Sequence, residues 1–193
     1  MLKDHDNVAL FNRAKDLYHA GRHDDALRIY TELAEQGCLE CQEFVGLMYL
    51  MGGGGIDQNH EEAEKWLVMA KQRGSIKAIY LLGILEYKKG DIEKALAYFQ
   101  EAGEKGYSAA IYQMGKMYYF GSGVDQDLEK AFDLFDRAAR MEHVFARRQK
   151  AILLMKGYKG ILSVPKGIFL FITSVIHTLK VAINDPYDEK AFE

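Results

Sequence analysis

Proline is almost missing from this chain of 193 residues: two occur, against eighteen glycines. Proline breaks helices, so its scarcity leaves long helical segments open, and glycine is left to punctuate them. Alternating runs of Val, Ile and Thr are also nearly absent, which argues against a sheet protein. Two cysteines are too few for a disulfide scaffold. The opening MLKDHDNVALFNRAKDLY lacks the long apolar core and small-residue cleavage site of a signal peptide, so a cytoplasmic location is the default expectation. What is present is an ordinary globular mixture, 49% hydrophobic and 27% charged, which excludes a disordered chain.

The residue patterns of catalysis and metal binding are missing as well. No G-x-x-x-x-G-K-[ST] occurs, and Gly115-Lys116 is followed by Met117. His60 opens HEEAE, which lacks the second histidine of H-E-x-x-H because Glu64 stands there. CLEC, at Cys38 to Cys41, has the look of a redox motif or half a zinc site, but no second Cys or His pair lies at a suitable spacing. Cys41 falls in a slot held elsewhere by Ala78 and Ala110, which favours a packing role, with Cys38 as an exposed thiol. His19 and His23 are four apart, but Gly21 should break their shared face. No nucleophile is accompanied by a base and an orienting group. The expectation is no catalytic residue, no metal and no cofactor.

A repeat is plainly there. GRHDDALRIYTELAEQG, DQNHEEAEKWLVMAKQRG, GDIEKALAYFQEAGEKG and DQDLEKAFDLFDRAARME align on Ala26, Ala63, Ala95 and Ala131, spaced 37, 32 and 36 residues apart. Each has apolar residues at helical spacing. A second helix precedes each of these. It carries two small residues five apart: Ala9 and Ala14, Cys41 and Gly46, Ala78 and Gly83, Ala110 and Gly115, Ala146 and Ala151. A larger side chain follows: Tyr18, Tyr49, Tyr87, Tyr119 or Met155. Small residues at fixed places let two helices approach, and stacked helix pairs bury a core that one pair could not.

GGGGIDQN and GSGVDQD occupy one slot, the turn between the two helices of a repeat, and YKKGD is its short form. A glycine-rich stretch before a helix also suits a phosphate. Asp57, Asp91 and Asp125 lie near the following N-termini, where a carboxylate caps amides and repels an anion, so a structural turn is expected.

AIYQMGKMYYFGSGVDQDLEKAFDLFDRAA and CQEFVGLMYLMGGGGIDQNHEEAEKWLVMA carry a small-x4-Gly helix, a Tyr, a G-x-G-[VI]-D turn and a later Ala and aromatic. In these features the chain resembles the Sel1-like repeat family, solenoids related to tetratricopeptide repeats, over about residues 7–158. The first and third repeats, with shorter turns, stand closer to tetratricopeptide repeats. The resemblance implies binding of proteins or peptides, often in the assembly of membrane-associated complexes.

The charge is unevenly placed. Residues 1–136 carry 15 basic and 23 acidic residues, whereas 137–180 carry nine basic residues and one acid, Glu142. Here the chain reads MKGYKGILSVPKGIFLFITSVIHTLKVAIND. The uncharged run from Gly167 to Leu179 is thirteen residues, too short to span a bilayer, which needs about 20. On a helix, Ile168, Phe169, Ile172, Val175, Ile176, Leu179 and Ile183 share a broad face, with Thr173, Ser174, His177, Thr178 and Lys180 opposite. That suits a helix lying in a membrane interface with lysines at headgroup level. The same helix could serve as the terminal cap that any repeat array needs, or as a face for a partner or a second copy. Mixed charge would be expected on a cap, and the few charges of this helix are all positive.

The expected architecture is all-α: a right-handed α-solenoid of antiparallel helix pairs over residues 1–158. A segment 159–193 follows, with an amphipathic, apolar helix at about 167–183 and an acidic tail. The expected role is a non-catalytic adaptor, peripheral at the cytoplasmic face of a membrane. The alternative is a cytoplasmic chaperone or immunity-type protein using the same C-terminus on a cognate partner. Contact residues are expected to be Arg147, Arg148, Lys150, Lys156, Lys159, Lys166, Phe169, Ile172 and Ile176. A protein partner, an anionic membrane surface and a homodimer are all compatible with it. Nucleic acid is not expected, because the basic stretch lacks interleaved stacking aromatics.

Overall fold

The computed structural model describes residues 4–184, with side chains from residue 7 to 177 and at 179. Among the described residues all regular structure is helical, apart from an isolated bridge between Gly53 and Ile56. The helices are α1 (Asp4–His19), α2 (His23–Glu35), α3 (Leu39–Met51), α4 (His60–Gln72), α5 (Ile76–Lys89), α6 (Ile92–Glu104), α7 (Ser108–Phe120), α8 (Leu128–Arg140), α9 (Val144–Met155) and α10 (Val164–Asn184). A single 3-10 turn, Ile161–Ser163, leads into α10. Packing divides the chain into two units, Met1–Tyr98 and Phe99–Glu193, with the division inside α6.

In the first unit α1 to α5 pack each on the next. The aligned alanines Ala26 and Ala63 are fully buried, as are Cys41 and Ala78 at the first small position of α3 and α5. Gly46 shows why the second position must be small. A Cβ there would lie 2.7 Å from Leu67 of α4, a fully buried side chain. The two positions thus serve different neighbours: Cys41 joins a cluster with Ile29, Tyr30 and Leu33 of α2, while Gly46 admits α4. Ala9 departs from the expectation, for it is exposed while Ala14 is buried.

In the second unit α7 packs on α8, α8 on α9 and α9 on α10. Gly115 repeats the Gly46 arrangement, with Phe135 of α8 at 2.7 Å from a notional Cβ. Ala131, Phe135, Ala146 and Ala151 are fully buried.

The caps correct one expectation. Asn59 and Asp127, not Asp57 and Asp125, accept hydrogen bonds from the first-turn amides of α4 and α8. Asp57 and Asp125 are exposed in the turn. The reason is the residue between. Gln58 donates from Nε2 to the Leu50 carbonyl at 2.7 Å, and Gln126 to the Tyr119 carbonyl at 2.8 Å. Each glutamine closes the end of the preceding helix, and the next helix starts only after it. Asp91 does cap α6, accepting from the Lys94 amide. Gly52 to Gly55 all take positive φ, as do Gly121 and Gly123, which is what the long turns require.

Candidate docking surface on the C-terminal helix

α10 lies against α9 with its small and polar side inward. Near its start, Gly167 meets α9 so closely that a Cβ would fall 2.7 Å from the Met155 nitrogen and 2.9 Å from the Ala151 oxygen. Two turns on, Ser174 is 1% exposed and its hydroxyl donates to the Val144 carbonyl at 3.4 Å. The two helices therefore run antiparallel, the start of α10 beside the end of α9. Leu170 adds to the cluster of Phe132, Phe135, Leu153 and Leu154. Ser163 anchors the approach, its hydroxyl within 3.0 Å of the Leu154 carbonyl and 2.7 Å of that of Gly160.

The apolar side is left outward. Phe169 is 70% exposed, Ile172 51%, Ile176 47% and Leu179 56%; Ile168 and Val175 lie on the same side. Ile161 and Leu162, in the 3-10 turn, are exposed as well. α10 is thus inverted relative to a soluble capping helix: it covers α9 and offers a new hydrophobic stripe of its own. Ile183, Thr178 and Lys180, which the sequence also placed on this helix, have side chains outside the described residues.

The basic residues divide. Lys166 is exposed in the first turn of α10. Lys159 lies over the rings of Phe132 and Tyr158 at 5.1 and 5.0 Å, and Lys156 donates to the Tyr119 hydroxyl at 3.2 Å. Arg148 is exposed beside the Phe145 ring, and Arg147 is half-buried. Lys150 is engaged inside the fold, in an ion pair with Asp136 of α8, which also takes Arg140. Burial works to raise the Asp136 carboxyl, but the hydrogen bond and charge of Lys150, and then those of Arg140, hold it below the ordinary carboxylate range. Lys130 is a residue the sequence did not single out. It donates to the Tyr118 hydroxyl at 2.7 Å, one residue from the Tyr119 that Lys156 meets.

The space beside the glycine loop is taken by side chains of α2. The His23 ring fills the space beside Gly54, and the Asp24 carboxylate lies beside Gly55. The adjoining cavity, of about 480 Å³, is walled by Tyr18, Phe44, Leu47, Met48 and Met51. Among the described residues no three His, Cys, Asp or Glu side chains gather as a metal would need, and no helix is long and apolar enough to cross a membrane.

The Sel1 repeat model matches three successive stretches of the chain, residues 39–75, 76–107 and 108–143. Among curated relatives, the ERAD-associated E3 ubiquitin-protein ligase component HRD3B of Arabidopsis thaliana is 35% identical over 111 residues, 58% of this chain and 18% of that protein. The exopolysaccharide production negative regulator of Rhizobium meliloti (strain 1021) is 27% identical over 161 residues, 75% of this chain and 60% of that one. The chain thus spans less than two thirds of either protein's length. A Sel1 repeat protein from Oxalobacter formigenes superposes with a TM-score of 0.68 at 25% identity, over 86% of this chain and 69% of that one.

Proposed function

The chain belongs to the Sel1 repeat family, and from that premise we propose that it is a non-catalytic scaffold for protein partners, held peripherally at an anionic membrane surface through α10. The repeats, residues 1–158, form the partner-binding part. The segment from 159 onward is the attachment device. The relative from Arabidopsis thaliana is by its name a component of a ligase assembly, the kind of part a scaffold would be.

One observation carries the reading: α10 turns Gly167 and Ser174 inward and Phe169, Ile172 and Ile176 outward. A helix that only closed a repeat array would do the reverse, since burying apolar area stabilises by about 25 cal/mol per Å². Positive charge accompanies the stripe. Arg148, Lys156, Lys159 and Lys166 remain for an anionic leaflet, each contributing about 1 kcal/mol there. Lys150 is committed to Asp136 and drops out of that sum.

Co-sedimentation with vesicles of mixed neutral and anionic phospholipid tests it. The intact chain should pellet at low salt. F169S/I172S/I176S should stay in the supernatant at every salt concentration while still melting cooperatively near the temperature of the intact chain, because Phe169 is mostly wet and Ile172 and Ile176 are about half wet already. K156E/K159E/K166E should bind weakly and lose the salt dependence, since surface charge is screened within roughly 8–10 Å. An intact chain that ignores anionic vesicles at low salt overturns the membrane reading. If it sediments as a dimer that the serine variant abolishes, the stripe is a self-association face.

A further inference from the structure

The repeat register sets two residues of α3, α5, α7 and α9 three positions apart: the N-cap and the first small residue. In α5 they are Ser75 and Ala78, and the Ser75 hydroxyl accepts from the Ala78 amide at 2.8 Å. In α9 they are His143 and Ala146, with the same bond to the imidazole Nδ1. In α3 both are cysteine. Cys38 is the N-cap, its sulfur accepts from the Cys41 amide at 3.2 Å, and the two sulfurs are joined as a disulfide. The exposed thiol expected for Cys38 is therefore replaced by a paired one. Each cysteine alone has a packing explanation. Together they make a C-x-x-C at a helix N-terminus, with Cys38 half-buried and Cys41 fully buried.

Sulfur is a poor cap as a thiol and a good one as a thiolate, because the amide and the positive end of the helix dipole favour negative charge. A guanidinium borders the residue before the cap. The Arg73 guanidinium lies against Gly37, with Nη1 3.0 Å from where a Cβ on that glycine would be. Cys38 also lines a cavity of about 410 Å³ whose other walls include Val8, Phe11, Leu33 and Glu40. The Asn7 side-chain oxygen, at the same cavity, is buried and has no hydrogen-bond partner.

We propose that Cys38 and Cys41 form a thiol–disulfide exchange site, with Cys38 the sulfur that exchanges with an incoming thiol of the glutathione class and Cys41 the buried resolving sulfur. In reduction an incoming thiolate attacks Cys38 Sγ. The Cys38–Cys41 bond breaks, and Cys41 leaves with the bonding pair and takes a proton. A second thiolate then attacks the glutathione sulfur of the mixed disulfide and expels the Cys38 thiolate. One protein disulfide gains two electrons and two glutathione thiols become glutathione disulfide. Oxidation is the same path reversed, with Cys41 resolving the mixed disulfide on Cys38. The site is independent of the membrane reading, because every residue in it lies in the first unit.

The sibling repeats supply the test variants. C38S installs the cap found at Ser75, and C41A installs the small residue found at Ala78, so both should fold. The full chain is equilibrated anaerobically with glutathione and glutathione disulfide, trapped by alkylation and weighed. The ratio of reduced to oxidised chain should rise about tenfold for each tenfold rise in [GSH]²/[GSSG]. C41A should hold one glutathione on Cys38, and C38S should hold none. The fluorescence of Trp66, which shares a buried cluster with Cys41, should follow the same titration. A chain that forms no internal disulfide in the most oxidising buffer overturns the proposal. A bond that stays closed across the series until denaturant is added is a structural staple and overturns it too. Equal glutathione uptake by C38S and C41A refutes the assigned roles.

Discussion

At the scale of single residues, the long turns after α3 and α7 rest on four residue choices. A glycine leaves the first helix, an apolar residue tucks in, a glutamine closes the old helix end, and an Asn or Asp opens the new one. N59A and D127A should each lower stability by about 1 kcal/mol, the usual worth of an N-cap. D57A and D125A, two residues earlier and exposed, should change it by less than about 0.5 kcal/mol. Thermal or urea melts of the four variants check the pair of statements together. The acidic residues were legible in the sequence as caps in general but not in register. Counting from the glycine pointed to Asp57, whereas the true start is set by a glutamine side chain reaching eight residues back to Leu50. Gln58 and Gln126 stand in equivalent places in DQN and DQD, and that shared glutamine was the available signal. The Cys38–Cys41 bond was half legible. Spacing alone could not tell an alanine slot from a redox pair, because both residues do occupy packing positions.

Among elements, the one that departs from the repeat is also the one whose docking is most exposed to test. A side chain at 167 would meet backbone, not a flexible side chain, since the nearest atoms are the Met155 nitrogen and the Ala151 oxygen. G167V should therefore lift α10 off α9. Hydrogen exchange should show α10 amides losing protection while α7 and α8 keep theirs. The Asp136–Lys150 pair ties α8 to α9. D136N should cost about 1–2 kcal/mol near neutral pH, as a charge-assisted hydrogen bond is lost. The folded Asp136 carboxyl is held below its ordinary value of 3.8. Its contribution is therefore fully present above that value and is lost as pH falls through the lower, folded one. Melts between pH 5 and 2 should show an acid destabilisation in the wild type that is shallower in D136N. The helices themselves were legible because the two small positions and the aligned alanine recur in every repeat. The inward use of Gly167 and Ser174 was less so. A wheel sorts residues into faces but does not say which face the neighbour takes, and by the hydrophobic rule alone the apolar one would have been chosen.

For the whole molecule, the charge split read from the sequence has two fates in the structure. Part of the basic excess is neutralised on Asp136, by the largely covered Lys150 and by Arg140 from an exposed position. Part is spread over rings, in Lys156 and Lys159. Composition could register the excess but not this division. The outward stripe of α10 has a calorimetric consequence. Unfolding a protein raises its heat capacity in proportion to the apolar surface newly wetted. Phe169 is mostly wet in the native chain and Ile172 and Ile176 about half so, so they add less to that increment than core side chains do. F169S/I172S/I176S should unfold with nearly the heat-capacity change of the wild type. Their contribution should surface instead on association. Titration of the wild type into anionic vesicles at several temperatures should give a binding enthalpy that falls as temperature rises, the mark of apolar burial, and the serine variant should give a flat line.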